Sequence, residues 1–117
     1  MTVFVDDMKA PFRSLLMCHM VADSDAELHA MADAIGVARQ WHQAPPKHDS
    51  HYDLAQSKRA LAVKLGAVEV TLRQCAAMNI RRRVTGSLGE PDDAWQWLKQ
   101  HMADRRVAAA AKQGAIS

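Results

Sequence analysis

The chain has little sulfur chemistry, few aromatic rings and no long apolar run. Its 117 residues include only two cysteines, Cys18 and Cys75, too few for a disulfide framework and without a C-x-x-C spacing. Both sit among apolar neighbours and read as buried free thiols in a reducing compartment. Aromatics make up 5% of the chain, so Leu, Val, Ala and seven Met must fill the core. The apolar run over residues 15–22 is eight residues long and contains His19, far short of the roughly 20 residues that span a bilayer. Asp6, Asp7 and Lys9 interrupt the first residues before any apolar run, unlike a secretory leader. The expectation is a cytoplasmic protein with no membrane partner. An excess of one charge is also missing: the formal net charge is +2, too small to argue for nucleic acid. No Gly-rich loop precedes a helix, which excludes a P-loop. No Ser or Cys has a visible base beside it, so nucleophilic catalysis is not indicated.

What is present suits one domain with one core. Residues 3–5 are a short strand signal, and residues 15–22 read as a central strand buried on both faces. Ser24 and Glu27 have the form of a capping box, followed by Leu28, Met31, Ala32 and Ile35 on one helical face and Gly36 as a stop. Residues 37–42 alternate as a second internal strand, ended by Pro45 and Pro46. Asp53 to Gln56 reads as another capping box opening a helix that stops at Gly66. Residues 67–70 read as a third internal strand, and Thr71 to Gln74 as a third box before a helix to about Arg82. Pro91, Asp92 and Asp93 suit the first turn of a last helix, striped by Trp95, Leu98 and Met102.

Two strand–helix–strand units in a row imply right-handed crossovers and parallel pairing. The expected fold is therefore α/β: a small, mainly parallel sheet of about four strands flanked by helices, with a helical C-terminal extension. Residues 1–85 would be the core domain. Residues 86–117 would be a linker and a helix packing on the core or on a partner chain. Trp95 and Trp97 cannot both face one core, which makes that helix the candidate contact for a homodimer.

Titratable residues crowd into "PPKHDSHYDLAQSKRALAVKLGA", residues 45–67. In a parallel sheet this stretch would lie beyond the carboxyl ends of the strands, where ligands collect. With a helix from Leu54, Lys58 shares the face of Leu54, Leu61 and Leu65, and a lysine there seeks an anion or snorkels outward. Arg39, Lys47, Lys58 and Arg59 would meet phosphates at a helix N-terminus. His48, His51 and Tyr52 would hydrogen-bond to or stack on the rest of a nucleotide-like ligand. The leading expectation is thus a binding protein for a phosphorylated small molecule.

The enzymatic alternative is a metal-assisted or His-based phosphoester hydrolase with His48, His51 and Asp53 as catalytic groups. Imidazole and carboxylate suit Zn or Mn. The metal set would be His48 and His51 with a third ligand from Asp6, His19, His42 or Asp23. Whether Asp6 and Asp7 reach that edge depends on the direction of the first strand, because the link to the second is short for a crossover. His29 and His101 read as solvated. A third class is an interaction protein working through Arg81, Arg82, Arg83 and the last helix.

"VFVDDM", "MCHMVADSDAELHAMADAIG" and "APPKHDSHYDLAQSKRALAVKLGAVEV" resemble a family of short bacterial and phage proteins known only as a domain of unknown function. The resemblance covers residues 1 to about 75. It implies a bacterial or phage setting and carries over no catalytic residues.

Overall fold

The computed structural model describes residues 2–116. Strands β1 (Val3–Val5), β2 (Ala10–Phe12) and β3 (Leu15–Ala22) come first, then helix α1 (Asp25–Ile35). Strand β4 (Tyr52–Ala55), helix α2 (Gln56–Lys64), strand β5 (Val68–Glu69) and helices α3 (Leu72–Thr85) and α4 (Pro91–Ile116) complete the order. The sheet has five strands and is mostly antiparallel, not mainly parallel. Strand β3 is its spine: β1 and β2 lie end to end along one edge and β4 pairs with the other, all antiparallel to β3. Only β1 and β5 are parallel. The reason is chain length. Nine residues separate β1 from β3, too few for a crossover, so the chain must turn back on itself.

Two more expectations are corrected. Residues 37–42 hold no strand; Arg39–Trp41 form a single 3-10 turn. Asp53 does not cap a helix, because Tyr52–Ala55 is taken up by pairing with β3 and α2 begins at Gln56. The helix face shared by Leu61 and Leu65 is consequently exposed, and Ala62 is the α2 residue packed into the core. The expected strand over 67–70 shrinks to Val68 and Glu69.

Other elements follow their local signals. Ser24 Oγ accepts from the Glu27 N–H, although the Glu27 carboxylate turns to the Thr2 amide rather than closing the box. Gly36 ends α1 at φ 78°, in the left-handed region where a side chain is strained. Thr71 and Gln74 form both halves of a capping box on α3. Both cysteines are buried and free.

The sheet separates two cores. Helices α1 and α2 cover one face over Val5, Met20, Leu28, Tyr52 and Leu54. Helices α3 and α4 cover part of the other over Phe4, Val21, Met78, Leu88 and Leu98. Full burial of a Leu side chain such as Leu28 or Leu88 contributes about 1.5–3 kcal/mol. Trp97 borders the second core, while Trp95 lies under the Arg73 guanidinium, 4.3 Å from ring centroid to Cζ. No helix among the described residues is long and apolar enough to cross a membrane.

Candidate metal centre

Antiparallel pairing sets His19 of β3 directly opposite Asp53 of β4. Because side chains alternate along a strand, Cys18, Met20, Tyr52 and Leu54 enter the α1–α2 core. His19, His51 and Asp53 emerge on the opposite face. His51 stands one residue before β4, where its backbone N–H and C=O both pair with Gln43 at 3.0 Å. One ligand atom from each of His19, His51 and Asp53 lies within 4.8 Å of the others.

Each of these side chains is held from behind. His19 Nδ1 is 2.7 Å from Asp6 Oδ2, and a carboxylate oxygen can only accept, so Nδ1 carries the proton and Nε2 keeps its lone pair. His51 Nδ1 donates to the Asp49 carbonyl at 2.6 Å, which sets the same tautomer. His51 Nε2 faces Asp53 Oδ1 at 3.3 Å, and when protonated it donates to that carboxylate. Asp53 Oδ2 accepts from Gln43 Nε2 at 2.8 Å. Asp6, fully buried, accepts from the His19 amide at 2.9 Å and the Met8 amide at 3.2 Å as well. Its carbonyl receives Arg59 Nε at 2.8 Å.

The electrostatics follow from these contacts. Burial pushes the Asp6 carboxyl up, but the hydrogen bonds from His19 and from the amides of His19 and Met8 outweigh it and hold it below the usual range. The Asp6 hydrogen bond raises His19 above an ordinary imidazole, against the effect of its own burial. The His51 hydrogen bond lowers Asp53, again against burial. Burial pushes the Cys75 thiol, on the wall of the adjoining cavity, up to about 12, so it is not a thiolate at neutral pH.

Two cavities meet the cluster. One, about 650 Å³, is lined by His19, His51, Lys47, His48, Asn79 and Arg83 among others. The loop carrying Lys47 and His48 is pinned to α3, since Arg83 grips Asp49 with two bonds of 3.0 Å. The other cavity, about 720 Å³, is lined by His19 and Asp53 together with apolar residues including Met17 and Trp41.

The structure brings together some of the residues singled out from the sequence and scatters others. Lys47, His48, His51 and Asp53 share the cluster and its first cavity or border it. The expected convergence of cations on a helix N-terminus does not form. Arg39 is exposed and paired with Asp33 at 2.8 Å. Lys58 donates to the Ile35 carbonyl at the end of α1, at 3.0 Å. Arg59 bonds to Asp6 and Glu69. Tyr52 is buried on the other side of the sheet, its hydroxyl 2.7 Å from His29 Nδ1, so His29 is not the solvated residue the sequence implied. His101 stacks on Trp97. Within the metal set, His19 takes the place expected for His48, and Asp6 stands one layer behind as the partner of His19. Gln43 had no sequence signal, since its role depends on a bridge to His51. The His51–Leu54 alternation carries a period-2 signal for β4, while Asp53–Gln56 also fits a cap.

The family model for a protein of unknown function, DUF4031, matches residues 3–82. The chain belongs to that family. The match includes every residue of the cluster and its supports, and it runs past residue 75 into the arginine run of α3. No curated protein and no solved structure matches the chain.

Proposed function

We propose that His19, His51 and Asp53 bind a divalent transition metal, Zn or Mn, and that the protein is a metal-assisted hydrolase of phosphoesters, with a phosphorylated, nucleotide-like small molecule as substrate. One observation carries the reading: both imidazoles have Nδ1 committed to an acceptor behind them, so that both Nε2 atoms are turned toward one carboxylate, and the proton His51 Nε2 shares with Asp53 is one that a metal would displace. Two histidines and a carboxylate with hydrogen-bonded outer partners form a donor set for catalytic metals, with coordination positions left open for water and substrate. An imidazole backed by a carboxylate, as His19 is by Asp6, is also a better electron donor.

The surroundings favour an anionic substrate. Lys47 and His48 border the cavity on the His51 side, and Arg83 neutralises Asp49 on the same wall. A metal held by His19, His51 and Asp53 would supply an activated water. Attack of a water oxygen on phosphorus would form one P–O bond as the ester P–O bond breaks. The water's proton passes by way of His48 to the departing oxygen, so the products are a phosphate and an alcohol. His48 suits this because it is exposed on the same cavity, its ring centroid 6.2 Å from that of His51.

Elemental analysis of the purified protein tests the reading, together with hydrolysis of a phosphomonoester and phosphodiester panel before and after chelation. Stoichiometric Zn or Mn, lost in His51→Ala, with activity removed by chelation and restored by metal, is the expected result. Absence of bound metal, metal retained in His51→Ala, or iron without hydrolysis overturns it.

A further inference from the structure

The two cavities differ in chemistry, and the cluster stands where they meet. His19 lines both; His51 lines only the basic one and Asp53 only the apolar one. The three ligand atoms are too close together for a bound ion to belong to one side alone. The lining of the apolar cavity includes Phe12, Leu15, Met17, Val37 and Trp41. Trp41 is 63% exposed and Phe12 56% exposed, in a chain with only six Phe, Trp and Tyr residues together. These rings are not buried in either core. Both line the cavity. Of the cations near them, Arg39 is paired with Asp33, Lys58 donates to the Ile35 carbonyl, and the Arg13 guanidinium lies over the Phe12 ring, 5.4 Å from its centroid, which leaves Trp41 as the exposed ring for stacking.

We infer that the substrate is two-sided: its phosphoryl group lies at the cluster toward Lys47 and His48, and a flat, ring-bearing group, of the kind a nucleobase supplies, stacks against Trp41 in the second cavity. This rests on the reading of the cluster as a metal-dependent phosphoester site and narrows it. A phosphate carried by a flexible or purely polar group, such as a sugar phosphate, fills only half of the paired cavities. Stacking on an aromatic side chain is tolerant of which base is present, so the geometry selects a chemical class rather than one base. Trp41 is a specificity residue in this scheme and takes no part in bond breaking.

The test is calorimetric titration of the metal-loaded protein with adenosine monophosphate and with ribose phosphate. Adenosine monophosphate should bind at least about tenfold more tightly, since stacking of one base is commonly worth that much or more. Trp41→Ala should erase the advantage while leaving ribose phosphate affinity and metal content unchanged. His51→Ala should weaken both compounds and leave their ratio intact. Equal affinities in the wild type, no binding of either compound, or an advantage that survives Trp41→Ala overturns the inference. If the absolute affinities of both compounds are unchanged by His51→Ala and by removal of the metal while the Trp41-dependent advantage persists, the metal reading is overturned and this one stands.

Discussion

The short stretch from Ser50 to Asp53 feeds two histidine clusters on opposite faces of one sheet, and they are built on opposite principles. On the α1 face, Ser50 and Tyr52 meet His42 and His29. Ser50 donates to Asp25 Oδ1 at 2.6 Å and lies 2.8 Å from His42 Nε2, while the Tyr52 hydroxyl lies 2.7 Å from His29 Nδ1. The two imidazoles touch edge to face, centroids 4.5 Å apart. These bonds tie the loop before β4 to α1, and no trio of ligand atoms forms there among the described residues. On the other face, His51 and Asp53 join His19, and the bonds that hold the imidazoles lie behind them. Counting histidines would rank the two clusters alike. What separates them is which nitrogen is occupied from behind, and therefore where the remaining ring nitrogen is directed.

The sharpest way to break this contrast is at neighbouring residues of β4. Asp53→Asn should abolish stoichiometric metal, while Tyr52→Phe should leave metal content unchanged; elemental analysis reads both. If Tyr52→Phe also strips the metal, the two faces are not independent. Next in size is Asp6→Asn. Loss of the carboxylate behind His19 should cost about 10- to 100-fold in metal affinity. Because Asp6 also accepts from two backbone amides, the metal-free protein should lose about 1–3 kcal/mol in denaturant unfolding. An unchanged affinity would remove Asp6 from the site.

Ser50→Ala removes the group shared by Asp25 and His42 and should cost about 1–3 kcal/mol, since both partners are left behind. Tyr52→Phe should cost about 1 kcal/mol, the net worth of one hydrogen bond. The smallest effect concerns pH. Burial lowers His42, assisted by His29 and His51 and opposed by Asp25. Its folded value therefore lies below its unfolded value of about 6.5. The stability it contributes is present above about pH 6.5 and is lost as pH falls toward the folded value. In the metal-free protein His42→Ala should flatten that acid-side decline; an unchanged slope would show that His42 is not its source.

Elements marked by local chemistry were legible in advance. Strand β3 runs over the residues its apolar pattern indicates, although Leu15 and Leu16 at its start are exposed rather than buried on both faces; Ser24 caps α1, and Thr71 with Gln74 boxes α3. Misreading came where a local pattern had two solutions. Asp53 to Gln56 satisfies a cap template and also continues an alternating strand, and pairing with β3 decided for the strand. Residues 37–42 alternate in hydropathy, yet only Gln43, just beyond them, pairs with another segment, so a single turn forms instead. His19 stood among four candidates for a third ligand, and nothing local could choose it, because the strand that turns Asp6 toward it and the strand that carries Asp53 are both partners from elsewhere in the chain.

By itself the sequence determined the α/β class, the burial of both thiols, the starts of α1 and α3, and the concentration of titratable residues between Lys47 and Lys58. It also carried the family. Only the tertiary structure decided that His19 and Asp53 stand opposite each other, that Asp6 lies behind the first and Gln43 beside the second, and that Lys58 and Arg59 turn elsewhere. Strand register is set by hydrogen bonds between segments far apart in the chain, and a shift of one residue would send every side chain of β4 to the opposite face.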